Sequence, residues 1–541
     1  MIVKNTTIQN KTKKDRLNNE HIVPTHYLTD KSVSSFIRTL LDYKHLKQNI
    51  LFSIGCKLTS GNNNPHLKKF ISEYSYEKID IPNIPENEFD LLGSVYQYLN
   101  SKKENLERGS FYTNHEIARD FVKDLDFNSN QTIIDPACGS GAFLFSSDAS
   151  SNQIYGVDND PIAVMIAKFN YFIKFPDAEY PNIFHDDFLV WYLNNIELDF
   201  DYVMGNPPYG ATLNLLNIKS RYIKSGESFS YFVEFGSKLL KENGILRYLL
   251  PESILNVKKH HDIRKFILND TNLTRIKKYE TKFSGVMSDL YMLELGVSKN
   301  TDYLTFTNNI SSTKVPKSVY RDLKNNVFTH FTSNDISIIE KVKKIQGYSL
   351  SNSIYGLGVV TGNNKEKLLD IPVDGSEPIY TGKEVFKYKL KTPTKHIIFD
   401  RANLQQVASN SLYRAPKKLV YKTINKHIKV AIDESGSLTT NSANILIPNI
   451  VEIDIYTIMG ILNSQLFSYL NIKLFGGVNK IAKENLQTLP IPKLSIQENN
   501  YIKQLVIDII QNNSEDDILQ DYINKNIFKL SDKEVLYINQ F

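Results

Sequence analysis

Residues 199 to 212 read DFDYVMGNPPYGAT, an apolar run that stops at Asn206-Pro207-Pro208-Tyr209. Two consecutive prolines fix two backbone φ angles and remove two amide donors, so a strand cannot continue through them. The carbonyls around the turn are held rigidly, with an amide side chain at one end and a phenol at the other. Read alone, these four residues are either punctuation after a buried strand or a preorganised polar site.

A second constellation lies upstream. Residues 132 to 147 read TIIDPACGSGAFLFSS, a predicted strand ending at Asp135, a turn containing Ala137, Gly139 and Gly141, and an apolar helix start. The glycines allow a tight turn and close approach of a ligand to the backbone, and the start of a helix offers unpaired N–H groups. The next predicted strand ends in Tyr155-Gly156-Val157-Asp158-Asn159-Asp160. An acid about twenty positions beyond a glycine loop, at a strand tip, is placed to accept both ribose hydroxyls of an adenosine. Asp135 would repel a pyrophosphate and welcome a cationic amino-acid group. The sulfonium and ammonium of S-adenosylmethionine therefore suit this loop better than NAD does. A third strand end carries His185-Asp186-Asp187-Phe188-Leu189, where Asp187 is placed to accept an adenine amino group and Phe188 to pack on its face, with Asp186 a competing acceptor. Gly109-Ser110-Phe111-Tyr112-Thr113 precedes a helix and either closes over the methionine end or packs as ordinary core.

The elements that must position these residues follow from periodicity. Residues 1 to about 107 show apolar spacings of three and four and predict a helical N-terminal region. From 108 to about 300, β-branched runs (TIIDPA, QIYGVD, DYVMGN, GILRYLL) alternate with helical ones (HEIARDFVKDL, DPIAVMIAKFNYFI, YFVEFGSKLLKEN, HHDIRKFILND). This alternation predicts a doubly wound α/β sheet with ligands at the carboxyl ends of its strands. The run YFVEFGSKLLKENG reads as an amphipathic helix against that sheet, and His260-His261 as a helix surface with no further metal-ligand pattern around it. Residues 330–541 predict a separate α+β domain, in which lysines interleave with tyrosines in GKEVFKYKLK and RAPKKLVYKTINKHIK. The expected domains are thus 1–107, 108–329 and 330–541.

Composition sets limits. A chain of 541 residues is too long for one ordinary core. No apolar run is long enough to cross a bilayer, and the polar, basic start of the chain does not read as a secretory signal, so a cytoplasmic location is expected. Two cysteines, Cys56 and Cys138, support neither a disulfide framework nor a zinc site of their own. The net charge of +5 permits a polyanionic partner without requiring one.

Taken in order, GSFYT, DPACGSGAF, YGVDND, DDFL and NPPY resemble the γ arrangement of N6-adenine DNA methyltransferases, and most closely the TaqI-like family. The likeness covers 108 to about 297 well and the C-terminal third loosely. Length and the N-terminal extension resemble modification enzymes of the AccI and HincII type. The resemblance implies a Rossmann-like methyltransferase domain that takes S-adenosylmethionine, followed by a target-recognition domain that begins near Tyr355-Gly356-Leu357-Gly358. It carries cofactor contacts onto Tyr112, Thr113, Asp135, Ala137, Gly139, Gly141, Asp158, Asn159, Asp187 and Phe188, and catalysis onto Asn206, Pro207, Pro208 and Tyr209. Tyr209 and Phe283 are the implied stacking faces for a flipped base, with core packing the competing role for Phe283; no metal is implied.

Adenine N6 is a poor nucleophile because its lone pair is delocalised into the ring. Two acceptors aimed at its N–H bonds, the Asn206 side-chain oxygen and the Pro207 carbonyl, favour a more tetrahedral nitrogen. No general base is needed, since methylation makes the amine strongly acidic. The expected partner is double-stranded DNA, with a cognate restriction endonuclease as functional counterpart and the chain acting as a monomer. Three rivals remain: an enzyme methylating RNA or a protein glutamine, a non-catalytic specificity subunit, and a fused restriction-modification enzyme.

Overall fold

The computed structural model describes residues 31–541 except 82, 86–89, 101–112, 129, 211–218, 281–288, 299–300 and 476–479. The chain divides into two compact units, Met1–Asn326 and Val327–Phe541.

The first unit is built on a nine-stranded sheet in the order β3-β2-β1-β4-β5-β7-β6-β8-β9. Its strands are β1 Ile133–Asp135, β2 Ile154–Asp158, β3 Asn182–His185, β4 Phe200–Gly205, β5 Leu240–Pro251, β6 Asn272–Tyr279, β7 Leu290–Gly296, β8 Tyr303–Thr307 and β9 Ser312–Pro316. Strands β3, β2, β1, β4 and β5 run parallel, and β7 is antiparallel to both its neighbours. The chain leaves β1 toward β2 on one side and returns to β4 on the other, which makes the β1/β4 gap the switch point where such sheets bind ligands. Ile133 and Ile134 are wholly buried, as a strand covered on both faces requires. This is the doubly wound sheet the alternating pattern predicts.

Two local readings change. In the helix Ser228–Lys238 every residue from Ser228 to Ser237 is buried, so it is not amphipathic in place. It lies among β5, the helix Phe188–Asn194 and the helix His261–Asp270, which leaves it no solvent face. Its one buried acid, Glu234, is satisfied by Lys238 at 2.7 Å and by the Ser220 hydroxyl. His260 is likewise buried rather than on a helix surface, with its ring 5.1 Å from that of Phe229, and burial pushes its pKa down.

The N-terminal helices belong to the same core as the sheet. The helices Lys47–Leu58, Pro65–Ser72 and Leu91–Leu99 contribute Leu51, Phe70 and Leu92 to the cluster that holds Ile133, Leu144 and Phe169. A Cβ at Gly55 would lie 2.5 Å from the Phe169 ring, so glycine lets Lys47–Leu58 touch the helix Pro161–Lys174 directly.

The second unit is α+β, as expected. One sheet orders the strands Ile354–Gly356, Ala443–Ile447, Lys418–Lys422 and Val430–Asp433; a smaller one orders Lys395–Ile397, Glu377–Tyr380 and Leu438–Thr439. The helices Ile455–Leu462 and Ile496–Asn512 pack on each other through residues such as Gly460 and Val506. Lys418 and Asp433 form a buried ion pair at 2.5 Å across adjacent strands.

Candidate active site

The carboxyl ends of β1, β2, β3 and β4 carry, in turn, Asp135, Asp158, the Asp186-Asp187 pair and Asn206, so parallel pairing brings residues far apart in sequence to one edge of the sheet. Asp135 is 1% exposed, and its Oδ1 accepts from the Ala137 amide at 3.0 Å. Burial pushes its carboxyl well above the usual range against that bond, and the charge of Asp158 adds to the shift. Gly139 and Gly141 turn the loop with φ of 53° and 89°, a region that favours glycine. The Gly139 amide donates to Asp158 Oδ2 at 2.8 Å, and the Asp160 amide to Oδ1 at 2.9 Å. Burial pushes the Asp158 carboxyl up to about 6 against those two bonds. Each carboxylate oxygen has a second lone pair, so both remain competent to accept from a ligand hydroxyl. No lysine or arginine pairs with Asp135 or Asp158 among the described residues, and a cationic ligand fits such a pair of acids.

Asn159 follows on the exposed side, its carbonyl 3.3 Å from His185 Nε2. Asp187 caps the helix Phe188–Asn194: its Oδ1 accepts from Leu189 at 2.9 Å and from Val190 at 3.4 Å. Asp186 instead accepts the Asp187 amide at 2.8 Å. Phe188 is 3% exposed and packs against Phe232 at 4.9 Å, so its ring is largely covered by protein.

At the end of β4, a Cβ on Gly205 would lie 2.6 Å from Asp135 Oδ1. The residue before Asn206 is therefore glycine because β4 ends against the acid of the loop. Asn206 is half-buried, its Nδ2 facing the Thr113 hydroxyl at 3.4 Å and its Oδ1 accepting from the Tyr209 hydroxyl. That hydroxyl also lies 2.9 Å from the Leu249 carbonyl, on β5. Burial pushes the Tyr209 pKa up, which keeps the phenol a donor. The structure thus brings Asn206, Tyr209 and Thr113 together and sets them beside Asp135; Tyr112 and Phe283 lie outside the described residues.

The turn itself is clasped by residues that carry no recognisable pattern. The Ser228 hydroxyl donates to the Pro208 carbonyl at 2.5 Å, and Glu227 accepts the Gly210 amide at 2.7 Å, where Gly210 has φ of 66°. Partners this far apart along the chain leave no local signal; only the positive-φ glycine after the tyrosine hints that a partner fixes the loop.

In the second unit a cleft of about 380 Å³ is lined by Lys383, Lys395, Lys422, Thr381, Thr394 and Ser442 among others. Lys395 is paired with Asp370. The neighbouring turn adds Lys429, whose pKa burial pushes down, helped by Lys422 and Lys387. His427 is pushed down as well, by burial and then by Lys426, Lys387 and Lys429. A lysine and a histidine whose pKa values burial and neighbouring cations lower mark a face short of negative charge.

Comparison with known proteins agrees with both halves. Residues 87–350 match the N-6 DNA Methylase family, and residues 377–491 the TaqI-like C-terminal specificity domain. The Type II methyltransferase M.VspI of Vibrio sp. (strain 343) is 29% identical over 320 residues, 54% of this chain and 74% of that protein. The Type II methyltransferase M.HincII of Haemophilus influenzae is 24% identical over 287 residues, 47% of this chain and 53% of that protein. Among solved structures, the Type IIL restriction-modification enzyme MmeI in complex with DNA superposes with a TM-score of 0.56 at 12% identity, covering 94% of this chain and 88% of that one. At that identity the likeness concerns the fold. No described helix is long and apolar enough to cross a membrane. With an N-6 DNA methylase domain and a TaqI-like specificity domain in this order, the chain belongs to the TaqI-like N6-adenine DNA methyltransferases.

Proposed function

We propose that the chain transfers the methyl group of S-adenosylmethionine to the N6 amino group of an adenine flipped out of duplex DNA, as the cytoplasmic modification enzyme of a type II restriction-modification system. The observation that carries this reading is the meeting of the two constellations: Asn206 follows directly on a glycine whose Cβ would lie 2.6 Å from Asp135 Oδ1. An amine acceptor and a site for a cationic methyl donor therefore share one strand end.

When bound, S-adenosylmethionine supplies an electrophilic methyl on a sulfonium. Asp158 offers lone pairs to ribose hydroxyls, and Asp135 offers buried negative charge to the ammonium. Asn206 Oδ1 and the Pro207 carbonyl accept the two N6–H bonds, drawing the nitrogen lone pair out of conjugation. Tyr209 holds Asn206 Oδ1 in place through its hydroxyl. Held by these residues, S-adenosylmethionine would supply its methyl to that nitrogen and leave as the neutral thioether. The methylated amine then loses a proton to solvent, so Asn206 never acts as a base.

A base inside a duplex cannot reach this edge, so the target nucleotide leaves the stack, and Tyr209 with Phe283 supplies aromatic faces for it. The cationic cleft of the second unit supports DNA as the partner, since phosphate contacts dominate such binding. The chain acts as a monomer, with a cognate restriction endonuclease as its functional counterpart in the cell, without a contact between them being required. Incorporation of methyl label from S-adenosylmethionine into duplex DNA, followed by identification of N6-methyladenine, tests the reading. Label appearing only in RNA or protein, or none at all, overturns it.

A further inference from the structure

The helix Leu91–Leu99 reaches two strand ends of the candidate site at once. Its N-cap, Asp90, sits in the left-handed region with φ of 37°, uncommon for a residue with a side chain. From there its carboxylate faces three partners among the described residues. Oδ1 accepts from the Gly93 amide at 2.9 Å and from Asn170 Nδ2 at 2.8 Å, and Oδ2 accepts from the Ser140 hydroxyl. A Cβ at Gly93 would lie 2.3 Å from Asp90 Oδ2, so glycine makes room for the carboxylate. Asn170, on the helix Pro161–Lys174, also donates from Nδ2 to the Ser140 carbonyl at 3.0 Å. Ser140 lies between Gly139 and Gly141, the two positive-φ residues of the loop after β1.

The same helix touches the turn after β2. The Tyr96 hydroxyl donates to Asp160 Oδ2, while Asp160 uses Oδ1 to cap Ile162 at 3.0 Å and its amide to hold Asp158 Oδ1 at 2.9 Å. Asp90 and Tyr96 thus fix the glycine loop and the acidic strand tip relative to one another from outside the sheet. A loop with two positive-φ glycines has many conformations open to it, and holding it in one removes an entropic cost from ligand binding.

We propose that Asp90 and Asn170 are positioning residues for the methyl donor, so that the N-terminal helical region sets S-adenosylmethionine affinity through the Ser140 loop. The proposal rests on the cofactor reading above. Neither residue touches the reacting atoms; each acts through Ser140.

Titration calorimetry of the full chain with S-adenosylmethionine tests it. N170A removes the bonds from Nδ2 to the Ser140 carbonyl and to Asp90 while leaving the Asp90–Gly93 cap bond and the loop sequence intact, and it should raise the Kd roughly ten-fold. Stoichiometry and kcat at saturating cofactor should stay at the wild-type values. D90A should weaken binding at least as much, and D90N should recover part of it, because its amide oxygen still serves Gly93 and Asn170. The double variant D90A/N170A should weaken binding by less than the two single effects combined, since both work through one loop. A Kd unchanged in N170A and D90A overturns the proposal. So does a fall in stoichiometry or melting temperature with unchanged Kd, the signature of a purely structural role. If the wild-type chain itself binds no S-adenosylmethionine, the cofactor reading fails and this inference with it.

Discussion

The two units are frustrated in opposite senses. In the first, Asp135 and Asp158 are acids whose pKa burial pushes up, close enough for Asp158 to raise Asp135 further, with no lysine or arginine among the described residues paired to them. In the second, Lys429 and His427 are bases whose pKa burial and neighbouring lysines push down. Each unit holds charge of one sign that its own side chains leave uncompensated. Structural ion pairs elsewhere in the chain show the contrast: Lys418 and Asp433 are buried together at 2.5 Å, and Asp433 is pushed down by that partner against its burial. Charge neutralised within the fold supports the fold, whereas charge left uncompensated at a strand end or a cleft is suited to a ligand of opposite sign.

Asn206 is a neutral member of the first unit's site, and breaking it gives the largest expected effect. N206A removes one of two preorganised acceptors, so methyl transfer to duplex DNA should fall by at least about 10²–10³-fold. Binding of DNA and of S-adenosylmethionine should persist, which gel shift and calorimetry would show; turnover within about ten-fold of wild type would refute the clamp.

The acidic pole is tested by pH. Asp158 titrates near 6 in the free fold and must be ionised to accept ribose hydroxyls. Affinity for S-adenosylmethionine should therefore be full well above pH 6 and fall by up to about ten-fold per pH unit below it. Stability moves the other way. A carboxyl raised from its unfolded value near 3.9 binds its proton more tightly when folded, so its contribution to stability is lost as pH rises from about 4 to about 6. An affinity flat across that range would remove Asp158 from the cofactor site.

The basic pole is tested by salt. Replacing Lys383 and Lys422 by alanine should weaken DNA binding and lower the slope of log K against log salt by about 0.9 for each phosphate no longer neutralised. The same variants should bind S-adenosylmethionine as the wild type does. A slope unchanged from wild type would place the DNA interface elsewhere.

Much of the first unit is legible in the sequence because its signals are local. Strand, glycine turn and acid follow one another within residues 132–158, and the Pro207-Pro208 pair announces the end of β4. What stays hidden depends on the meeting of distant segments. Asp90, Ser140 and Asn170 are separated by tens of residues, and no periodicity links a helix cap to a loop after β1. The helix Ser228–Lys238 carries Glu234 and Lys238 at a spacing that suggests a solvent face, yet Ser220 and the surrounding helices bury it. His260 reads as a surface residue for the same reason, since only packing shows that Phe229 covers it. In the second unit the lysines are visible as a run, but the downward shift of Lys429 arises from burial and from a hairpin that sets it opposite Lys422, whose amide donates to the Lys429 carbonyl at 3.0 Å.

The smallest effect offers the sharpest form of the contrast. Burial, and after it Lys422 and Lys387, disfavour the Lys429 charge, so in the free protein that charge opposes folding. Its folded pKa lies below the unfolded value near 10.4, so this cost is present at neutral pH and disappears as pH rises toward that value. K429Q should therefore melt slightly higher than wild type at pH 7, by no more than about 0.5 kcal/mol given its partial exposure, and equally at pH 10.5. The same variant should bind duplex DNA more weakly. A residue whose loss stabilises the fold while weakening the complex is held for its partner, whereas K429Q destabilising the free chain would mark Lys429 as part of the unit's own packing.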